Sequence, residues 1–396
     1  MENANAKSER LFSLDLLRGL DMMFLTVLGP LLYVSSHIWK LPRGLTYQLS
    51  HPWEGFTCWD LIMPMFIFMC GAAIPLSLER RLARNGGRAD LAYWKHVLWR
   101  LVMLWGLGLL VQGRIATLDP DQIRLYDNTL QTIAFGYVVC AVTAALTRRT
   151  WVKLAIPIGS FVLYGVLLHA FGDYSQTGNF AFKVEKAILT AIVPATSVTA
   201  RELAVPQEVV SRLHPNGLEV HYTWYLTSLM FVFMTFCGYF STKILQAQAA
   251  QRTKALRLFG AGAGLLALGW VLAFCGVRMV KHVFTVSFTA QAMGWCMILL
   301  AALYVLTDIW KLRRGLGICI LFGQFALTAY MIEEFFKPVA EQFAGMLLEG
   351  LPRLFGTARY QPLVIAIAVV AEIVAVLVIR RRLKARKTET EGKGQV

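Results

Sequence analysis

A histidine and an aspartate flank the start of a long apolar stretch, LSHPWEGFTCWDLIMPMFIFMCGAAIPLSL, at residues 49–78. His51 precedes the stretch, and Asp60 lies at the beginning of its apolar part. Imidazole is the side chain best suited to move a proton near neutral pH. If a helix begins near Thr57, Asp60 lies in its first turn, where the helix dipole stabilises a carboxylate. Asp60 therefore either stabilises the helix start or orients a histidine or a substrate.

A second charged set lies in the first apolar run, where Asp15, Arg18 and Asp21 follow one another at intervals of three residues. Residues three apart share one face of a helix, so Arg18 can pair with either acid. A charge inside a membrane helix costs on the order of 2.5–3.5 kcal/mol on the gentlest scale. The set is therefore either a structural ion pair near the membrane interface or a site where Arg18 meets an anionic ligand such as a phosphate.

Amides and a lysine form further candidates at the ends of apolar runs. Asn128 and Gln131 in YDNTLQTIAFGY lie one helical turn apart, with Asn128 placed to cap the helix. They can line a polar cavity or make the hydrogen bonds that are common between membrane helices. Lys281 and His282 lie in VKHVFTVSF, close before another apolar run.

These groups need a scaffold, and the composition predicts one made of membrane-spanning helices. Of the 396 residues, 57% are hydrophobic and 16% are charged, whereas soluble domains are roughly 25% charged. Apolar runs of about 20 residues, long enough to cross a bilayer as helices, recur along the whole chain. We predict an all-α polytopic membrane protein, a single bundle of about ten transmembrane helices. The predicted spans are 14–36, 57–79, 93–112, 128–147, 152–171, 222–245, 256–277, 286–308, 315–336 and 361–380.

The net charge of +15 comes from Lys and Arg residues gathered in alternate connectors. This distribution follows the positive-inside rule, so both termini and the basic tail 381–396 are expected in the cytoplasm. It also argues against a nucleic-acid partner. The first run carries charges and lacks a cleavage site, which indicates a retained span rather than a signal peptide. The residues expected at or near the opposite face are His51, His214, His221, His282, Glu333 and Glu334.

The connector 172–221 is the largest predicted segment outside the spans, and it is too short for a typical independent domain. Its apolar stretch AILTAIVPA suggests a lid or an interfacial helix. No repeat or low-complexity linker divides the chain, so we interpret 1–396 as one membrane domain. The seven cysteines lie in apolar runs without a CxxC pair, which predicts buried free thiols and neither a disulfide framework nor a metal site. Walker A, GxSxG and HExxH motifs do not occur.

The order of several motifs carries a resemblance. LFSLDLLRGLDMMFL is followed by a histidine before WEGFTCWDLIMPMFIFMCGAAIPLSL, and then by NTLQTIAFGY, YTWYLTSLMFVFMTFCGYF, KHVFTVSF and LFGQFALTAY. The most specific parts are SLDxLRG at 13–19 and WxGxxxxDLxxP at 53–64. The chain resembles the heparan-α-glucosaminide N-acetyltransferase family of transmembrane acyltransferases, and more closely a bacterial subgroup of uncharacterised function (DUF5009).

This resemblance implies an enzyme of the bacterial inner membrane. It would take an acetyl group from cytoplasmic acetyl-CoA and deliver it to a sugar amine or hydroxyl on the extracytoplasmic side. The family histidine before WxG falls on His51, which would act as general base or would itself be acetylated. The family aspartate of DLxxP falls on Asp60, and Glu54 could hold the acceptor or share the base role. The residues expected to bind the donor are Arg18, Asn128, Gln131, Lys281 and Ser287.

The chain also departs from the family pattern. His51 stands two residues before Trp53 instead of three, and Glu54 replaces the asparagine of WNG. Two alternatives therefore stay open: a secondary transporter of a small polar solute, and a non-catalytic membrane homologue. The expected partners are a sugar or glycan acceptor and the lipid bilayer. A homodimer is a further option, because the GAGAG at 260–264 allows close helix packing.

Overall fold

The computed structural model describes residues 11–113, 115–118, 124–192, 222–348, 350 and 358–393, and every regular element in these ranges is helical. The predicted all-α class is therefore confirmed. In chain order the helices are α1 (Phe12–Met23), α2 (Gly29–Ile38), α3 (Arg43–Gln48), α4 (Ile62–Arg84), α5 (Leu91–Val111), α6 (Thr129–Leu146), α7 (Thr150–Phe171), α8 (Phe180–Ile192), α9 (Ser228–Gln246), α10 (Gln251–Phe274), α11 (Val286–Tyr304), α12 (Gly317–Gln324), α13 (Ala326–Met331), α14 (Lys337–Leu348) and α15 (Gln361–Lys393).

Nine helices among the described residues are long and apolar enough to cross a membrane, and a bent pair raises the number to ten. Some of these spans join two elements through a short turn, as where a π-helical turn at Phe24–Leu28 connects α1 to α2. Helices predominate because lipid offers no partners for backbone polar groups, so each segment must bond to itself. The nine spans are Phe12–Ile38, Trp59–Arg84, Leu91–Val111, Thr129–Leu146, Thr150–Phe171, Ser228–Gln246, Gln251–Phe274, Val286–Ile309 and Gln361–Arg386.

The ninth predicted span, 315–336, differs from the prediction. The chain breaks at Phe325, and the pair Gly317–Gln324 and Ala326–Leu348 is bent by 77°. Glu333 and Glu334, expected near the end of a span, lie instead in a π-helical turn inside the second arm. Lys337 Nζ lies 2.6 Å from Glu333 Oε1 and offsets the burial of that carboxylate.

Two compact units make up the described chain. The first contains the described parts of Met1–Ser50, Thr57–Ile62 and Leu299–Val396. In this unit α1 packs on α12, and α2 and α14 pack on α15. The crossing of α1 and α12 requires glycine, because a Cβ at Gly19 would lie 1.8 Å from the carbonyl oxygen of Cys319. The backbone N–H of Ser13 donates to Asp308 Oδ2 at 3.0 Å, which satisfies a free donor at the start of α1.

The second unit contains His51–Phe56 and the described parts of Met63–Ile298. Here α6 packs against α5 and α9, and α9 also packs against α7 and α10. At one end of the unit, Glu79 on α4 accepts hydrogen bonds from Lys153 and Lys243, each at 2.9 Å, and from the Tyr239 hydroxyl. This carboxylate ties α4, α7 and α9 together. The largest side chains that are wholly buried in the unit include Phe68, Tyr93, Tyr137, Tyr164, Tyr239, Phe231 and Phe236.

Two predictions about segments outside the spans have mixed outcomes. Helix α8 lies in the long connector predicted at 172–221 and buries Ala181 and Glu185 on one face. The rest of that connector, 193–221 with His214 and His221, lies outside the described residues, as do 394–396 of the basic tail.

All seven cysteines are free, but Cys58 and Cys275 are exposed. The prediction of buried thiols was wrong for these two because both lie at helix ends.

Candidate active site around His51

The loop between α10 and α11 folds back on itself and presents two polar side chains. Phe284 N donates to Lys281 O at 2.8 Å, and Thr285 Oγ1 accepts from Val280 N at 3.0 Å. Phe284 adopts φ +42°, a conformation that non-glycine residues rarely take. Such strain persists only where surrounding contacts hold it, and it is common at functional sites. The loop is therefore held in one shape in which Lys281 and His282 are buried.

Lys281 meets His51 directly. Lys281 Nζ lies 3.2 Å from His51 Nδ1, and the lysine side chain is only 5% exposed. An ammonium group has three donors and no lone pair, so a charged Lys281 must donate to Nδ1. In this arrangement Nδ1 keeps its lone pair and the ring hydrogen of neutral His51 is on Nε2. His51 itself is exposed, so its ring is accessible to a reactant.

Aromatic rings surround this pair. Trp53 stacks on the His282 ring with centroids 5.2 Å apart, and the centroid of the Tyr222 ring lies 4.7 Å from that of the same imidazole. Lys281 Nζ lies 5.8 Å from the centroid of the Tyr222 ring, within the range of a cation–π interaction. Trp53 Nε1 donates to Tyr174 O at 2.9 Å, which fixes the indole. We call this group the His51 cluster; it consists of His51, Trp53, Glu54, Tyr222, Lys281 and His282.

Glu54 lies on the exposed side of the cluster. Its carboxylate is 3.5 Å from the Arg278 guanidinium, with side-chain exposures of 52% and 60%. An ion pair that is so well solvated contributes little to stability. The backbone beside it is fixed more firmly, because Gly55 N donates to Met279 O at 2.9 Å. Glu54 is therefore free to exchange Arg278 for a ligand without disturbing the fold.

Ser287, predicted to bind the donor, lies close to the cluster but is wholly buried. Its hydroxyl donates to Arg278 O at 2.9 Å and lies 3.2 Å from Thr285 Oγ1. These bonds close the turn before α11. A role in donor binding stays a prediction, and any ligand atom must reach the remaining lone pair of this hydroxyl.

Asp60 lies in the first unit and forms a reciprocal cap with Thr57. Asp60 Oδ2 accepts from Thr57 N at 3.2 Å and from Thr57 Oγ1 at 2.9 Å, and Thr57 Oγ1 lies 3.3 Å from Asp60 N. This is the pattern of a capping box, in which two residues three apart satisfy each other's free backbone donors. The geometry accounts for the acid at this helix start, and a role of Asp60 in orienting His51 stays a prediction.

Arg18 also lies in the first unit. Its Nη1 is 3.8 Å from Asp15 Oδ1, so of the two acids that the spacing allowed, Asp15 is the one in ion-pair range. The Asp21 carboxylate is buried in the same unit. The pairing agrees with the structural interpretation of this set, and binding of an anionic ligand by Arg18 stays a prediction.

Asn128 and Gln131 form a second polar network in the second unit. Asn128 caps α6, because its Oδ1 accepts from Leu130 N at 2.7 Å, and its Nδ2 donates to Gln112 Oε1 at 2.9 Å. Gln131 Oε1 accepts from Asp127 N at 2.9 Å, and its Nε2 donates to Leu125 O at 2.8 Å. The predicted cap is confirmed. Both amides hold the loop before α6, and a ligand would have to compete with these bonds.

Sequence reasoning did not single out Tyr222 or Glu185. Tyr222 contacts both Lys281 and His282, and it belongs to an aromatic cluster, YTWY, that shortly precedes α9. Glu185 on α8 is 5% exposed, and its Oε2 accepts from Trp224 N at 3.1 Å and from Tyr225 N at 3.0 Å. Burial raises the pKa of Glu185 to about 7, against the opposing effect of these two bonds. In the described ranges no group of three or more His, Cys, Asp or Glu could hold a metal ion.

Comparisons with known proteins relate about a third of the chain to N-acetyltransferases. The chain is similar to heparan-alpha-glucosaminide N-acetyltransferase of Mus musculus, with 28% identity over 144 residues, 36% of this chain. The Homo sapiens protein of the same name is 28% identical over 148 residues, 37% of this chain. The matched segment covers 20% of the length of each of these relatives. No family model matches the chain, so the bacterial subgroup stays a prediction.

Proposed function

We propose that this protein is a membrane acyltransferase that moves an acetyl group from acetyl-CoA to a sugar amine or hydroxyl. The observation that carries the proposal is the contact between Lys281 Nζ and His51 Nδ1 at 3.2 Å. It places a cation beside a nitrogen that bears a lone pair, next to the WxG motif. The partial similarity to N-acetyltransferases of mouse and human supports the same reaction.

The reaction uses this geometry in a simple way. The acceptor nitrogen or oxygen attacks the thioester carbonyl carbon, and its proton passes to His51 Nδ1 as the Lys281 ammonium turns from that nitrogen to the carbonyl oxygen. The carbon–sulfur bond then breaks, and the coenzyme thiolate takes the proton from His51 Nδ1 as it leaves. Negative charge develops on the carbonyl oxygen during attack, and a buried ammonium such as Lys281 stabilises it strongly because little water competes. If His51 is acetylated first, the same Nδ1 lone pair is the nucleophile and the acceptor attacks the acetylimidazole.

The direct test is transfer of labelled acetyl groups by the purified protein. Wild-type protein in detergent is incubated with radiolabelled acetyl-CoA and a panel of amino sugars and polysaccharides, and acetylated product and free thiol are measured. We expect His51→Ala to abolish both signals while its unfolding temperature stays that of wild type. His37→Ala, which changes an exposed histidine of the first unit, is the matched control. Full transfer by the His51 variant would refute the assignment.

The charge pattern supports one orientation of the protein in the membrane. We propose that both termini lie in the cytoplasm, that the donor enters from there, and that the acceptor is an extracytoplasmic glycan at a bacterial inner membrane. Cysteine labelling with a membrane-impermeant reagent tests this orientation, because exposed Cys58 and Cys275 should react from the side opposite the termini.

A secondary transporter is the second candidate, and the bent pair α12–α13 is the observation that favours it. Broken helices form substrate and ion sites in many transporters, where they occur in corresponding positions of two repeats. The two functions give opposite results with acetyl-CoA. An acyltransferase is thermally stabilised by acetyl-CoA in detergent, whereas a sugar permease is not stabilised by it and accumulates sugar in proteoliposomes.

A further inference from the structure

Arg100 is a charged residue in the middle of a membrane span, and it faces the interior of the second unit. On α5 the buried positions are Tyr93, Val97, Leu104 and Gly108. Residue 100 continues this stripe at helical spacing. Nine residues separate it from Leu91, the first residue of α5, which is about 14 Å along the helix axis. A lysine or arginine near a helix end can extend its charge to the membrane surface, and Arg100 lies too far from the end of α5 to do so easily.

The groups around Arg100 do not neutralise it. Its Cζ lies 4.4 Å from the centroid of the Tyr137 ring, and its Nη2 donates to Cys70 Sγ at 3.5 Å. Within the described ranges no carboxylate lies at ion-pair distance from this guanidinium. A cation–π contact attracts the guanidinium but leaves its charge without a counter-charge. A charge in hydrocarbon that lacks a carboxylate partner is most often functional.

The hydroxyl of Tyr137 is a second unsatisfied group at the same place. Tyr137 is wholly buried beside the guanidinium, and its hydroxyl proton has no acceptor among the described residues. A buried donor that is left without an acceptor destabilises the folded protein. The guanidinium offers only donors, and the phenol can donate as well. The missing partner is therefore an acceptor, and the positive charge favours an anionic one.

The nearest end of the unit is also cationic. Arg81 Nη1 donates to Ala92 O at 3.0 Å at the start of α5. Lys153 and Lys243 share the single carboxylate of Glu79. Lys243 is 45% exposed at its side chain, so water reaches this end. The field of these groups draws anions from solution toward Arg100.

We propose that Arg100 and Tyr137 form an oxyanion-binding subsite inside the second unit, which takes a phosphate group of a small water-soluble molecule. The guanidinium donates a pair of parallel hydrogen bonds to two oxygens of the ligand, and the phenol donates a third. The same chemistry could be met by the carboxylate of a membrane fatty acid, but the solvated cations at the helix ends favour the soluble source. The subsite does not depend on acyl transfer, so failure of the proposed function leaves it standing.

The test measures binding of inorganic pyrophosphate by calorimetry to the full chain in detergent. We expect Arg100→Met and Tyr137→Phe each to weaken binding by about tenfold or more, since each removes a hydrogen bond to a charged group. Arg148→Met is the matched control, because exposed Arg148 only donates to Gly86 O. Equal affinity in wild type, Arg100→Met and Tyr137→Phe overturns the proposal. If Arg100→Met does not fold, Arg100→Lys, which keeps the charge without the planar fork, is expected to weaken binding in its place.

Two further measurements separate the alternatives. Without ligand, Arg100→Met is expected to raise the unfolding temperature, because it removes a half-buried charge that has no carboxylate partner among the described residues. A lowered unfolding temperature would make Arg100 a structural cation–π residue and overturn the proposal. Dodecanoate, a fatty acid, is titrated in parallel. If the protein binds dodecanoate but not pyrophosphate, and Arg100→Met abolishes that binding, the ligand is a membrane fatty acid and the proposed soluble phosphate is overturned. Binding of neither probe to the wild type overturns the subsite.

Discussion

His51 Nδ1 and Lys281 Nζ lie 3.2 Å apart although 230 residues separate them in the chain. The contact fixes which ring nitrogen carries the lone pair, because the ammonium can only donate. It also places a positive charge beside the only atom of the ring that can accept a proton in that state. The two residues should therefore be tested as a pair.

Replacement of Lys281 separates its charge from its size. We expect Lys281→Met to lower the rate of acetyl transfer by about 10²–10³-fold, the effect of losing one donor to a developing oxyanion. The acid limb of the pH–rate profile should move to higher pH, because the cation that opposes protonation of the His51 ring is gone. Steady-state rates between pH 5 and 9 measure both effects.

Lys186→Met is the control for Lys281→Met, since Lys186 is exposed on α8. An unchanged acid limb in Lys281→Met, at a rate reduced to the same degree, would mean that the lysine acts only through packing. Lys281→Arg retains the charge, and it should keep the wild-type position of the limb while restoring part of the rate.

The buried carboxyl of Glu185 predicts a dependence of stability on pH. Burial raises the pKa of Glu185 to about 7 in the folded protein, above its ordinary value of 4.5, and the charge of Asp127 adds to this. The folded state therefore binds a proton more tightly than the unfolded chain does. Its contribution is fully present below about pH 4.5 and is lost as pH rises to 7, at a cost of about 3 kcal/mol. Glu185→Gln should remove this loss.

Thermal unfolding in detergent at pH 4.5, 5.5, 6.5 and 7.5 measures the Glu185 effect. The amide of Glu185→Gln can still accept from Trp224 N and Tyr225 N, so the variant should be more stable than wild type at pH 7.5 and similar at pH 4.5. Glu54→Gln changes an exposed carboxylate and should follow the wild-type curve. Parallel curves for wild type and Glu185→Gln would contradict the prediction.

The reciprocal cap between Thr57 and Asp60 predicts a loss of stability when either side chain is shortened. Thr57→Ala and Asp60→Ala should each lower the free energy of unfolding by about 1 kcal/mol, the usual value of a helix cap. The double variant should lose less than the sum, because the two residues cap each other. Denaturant unfolding monitored by tryptophan fluorescence measures these differences, and strict additivity would argue against the reciprocal geometry.

Asp60→Asn distinguishes capping from catalysis. The amide oxygen can still accept from Thr57 N, so most of the stability should remain. The transfer rate per folded molecule then reports on chemistry alone. A rate at least tenfold below wild type would give Asp60 a role in the reaction, whereas a wild-type rate leaves it as a helix cap.

The spans could be predicted from sequence because a helix lets an apolar run in lipid satisfy all its backbone hydrogen bonds within the segment. The break at Phe325 could not, since FGQFAL contains no proline and Gln324 is its one polar side chain. Asn128 was recognisable as a cap because that role depends on the next two residues, and Leu130 N is its partner. Local patterns contain less information about contacts between distant segments, so the pairing of His51 with Lys281 needed the structure.

Arg100 shows the same limit for a charged residue. Its position in the third predicted span was evident, but its meaning depends on the helix face. The contacts of the half-buried guanidinium with Cys70 and Tyr137 show that it points toward α4 and α6. Its neighbours come from α4 and α6, and a hydropathy profile does not show which helices pack against α5. The lack of a carboxylate among its described neighbours therefore became apparent only in the structure.

The crossing of α1 and α12 gives a prediction that is independent of any ligand. A Cβ at Gly19 would lie 1.8 Å from Cys319 O, and a Cβ at Gly323 would lie 2.1 Å from Asp15 O. Both positions face backbone, which cannot move aside as a flexible side chain can. Gly19→Ala and Gly323→Ala should each destabilise the protein by about 1–3 kcal/mol through overpacking.

Gly106→Ala is the matched control, because a Cβ there meets nothing within 4 Å, and it should be neutral or slightly stabilising. Unfolding temperatures of the three variants in one detergent make the comparison, and a Gly19→Ala variant as stable as Gly106→Ala would show that the helices separate at no cost.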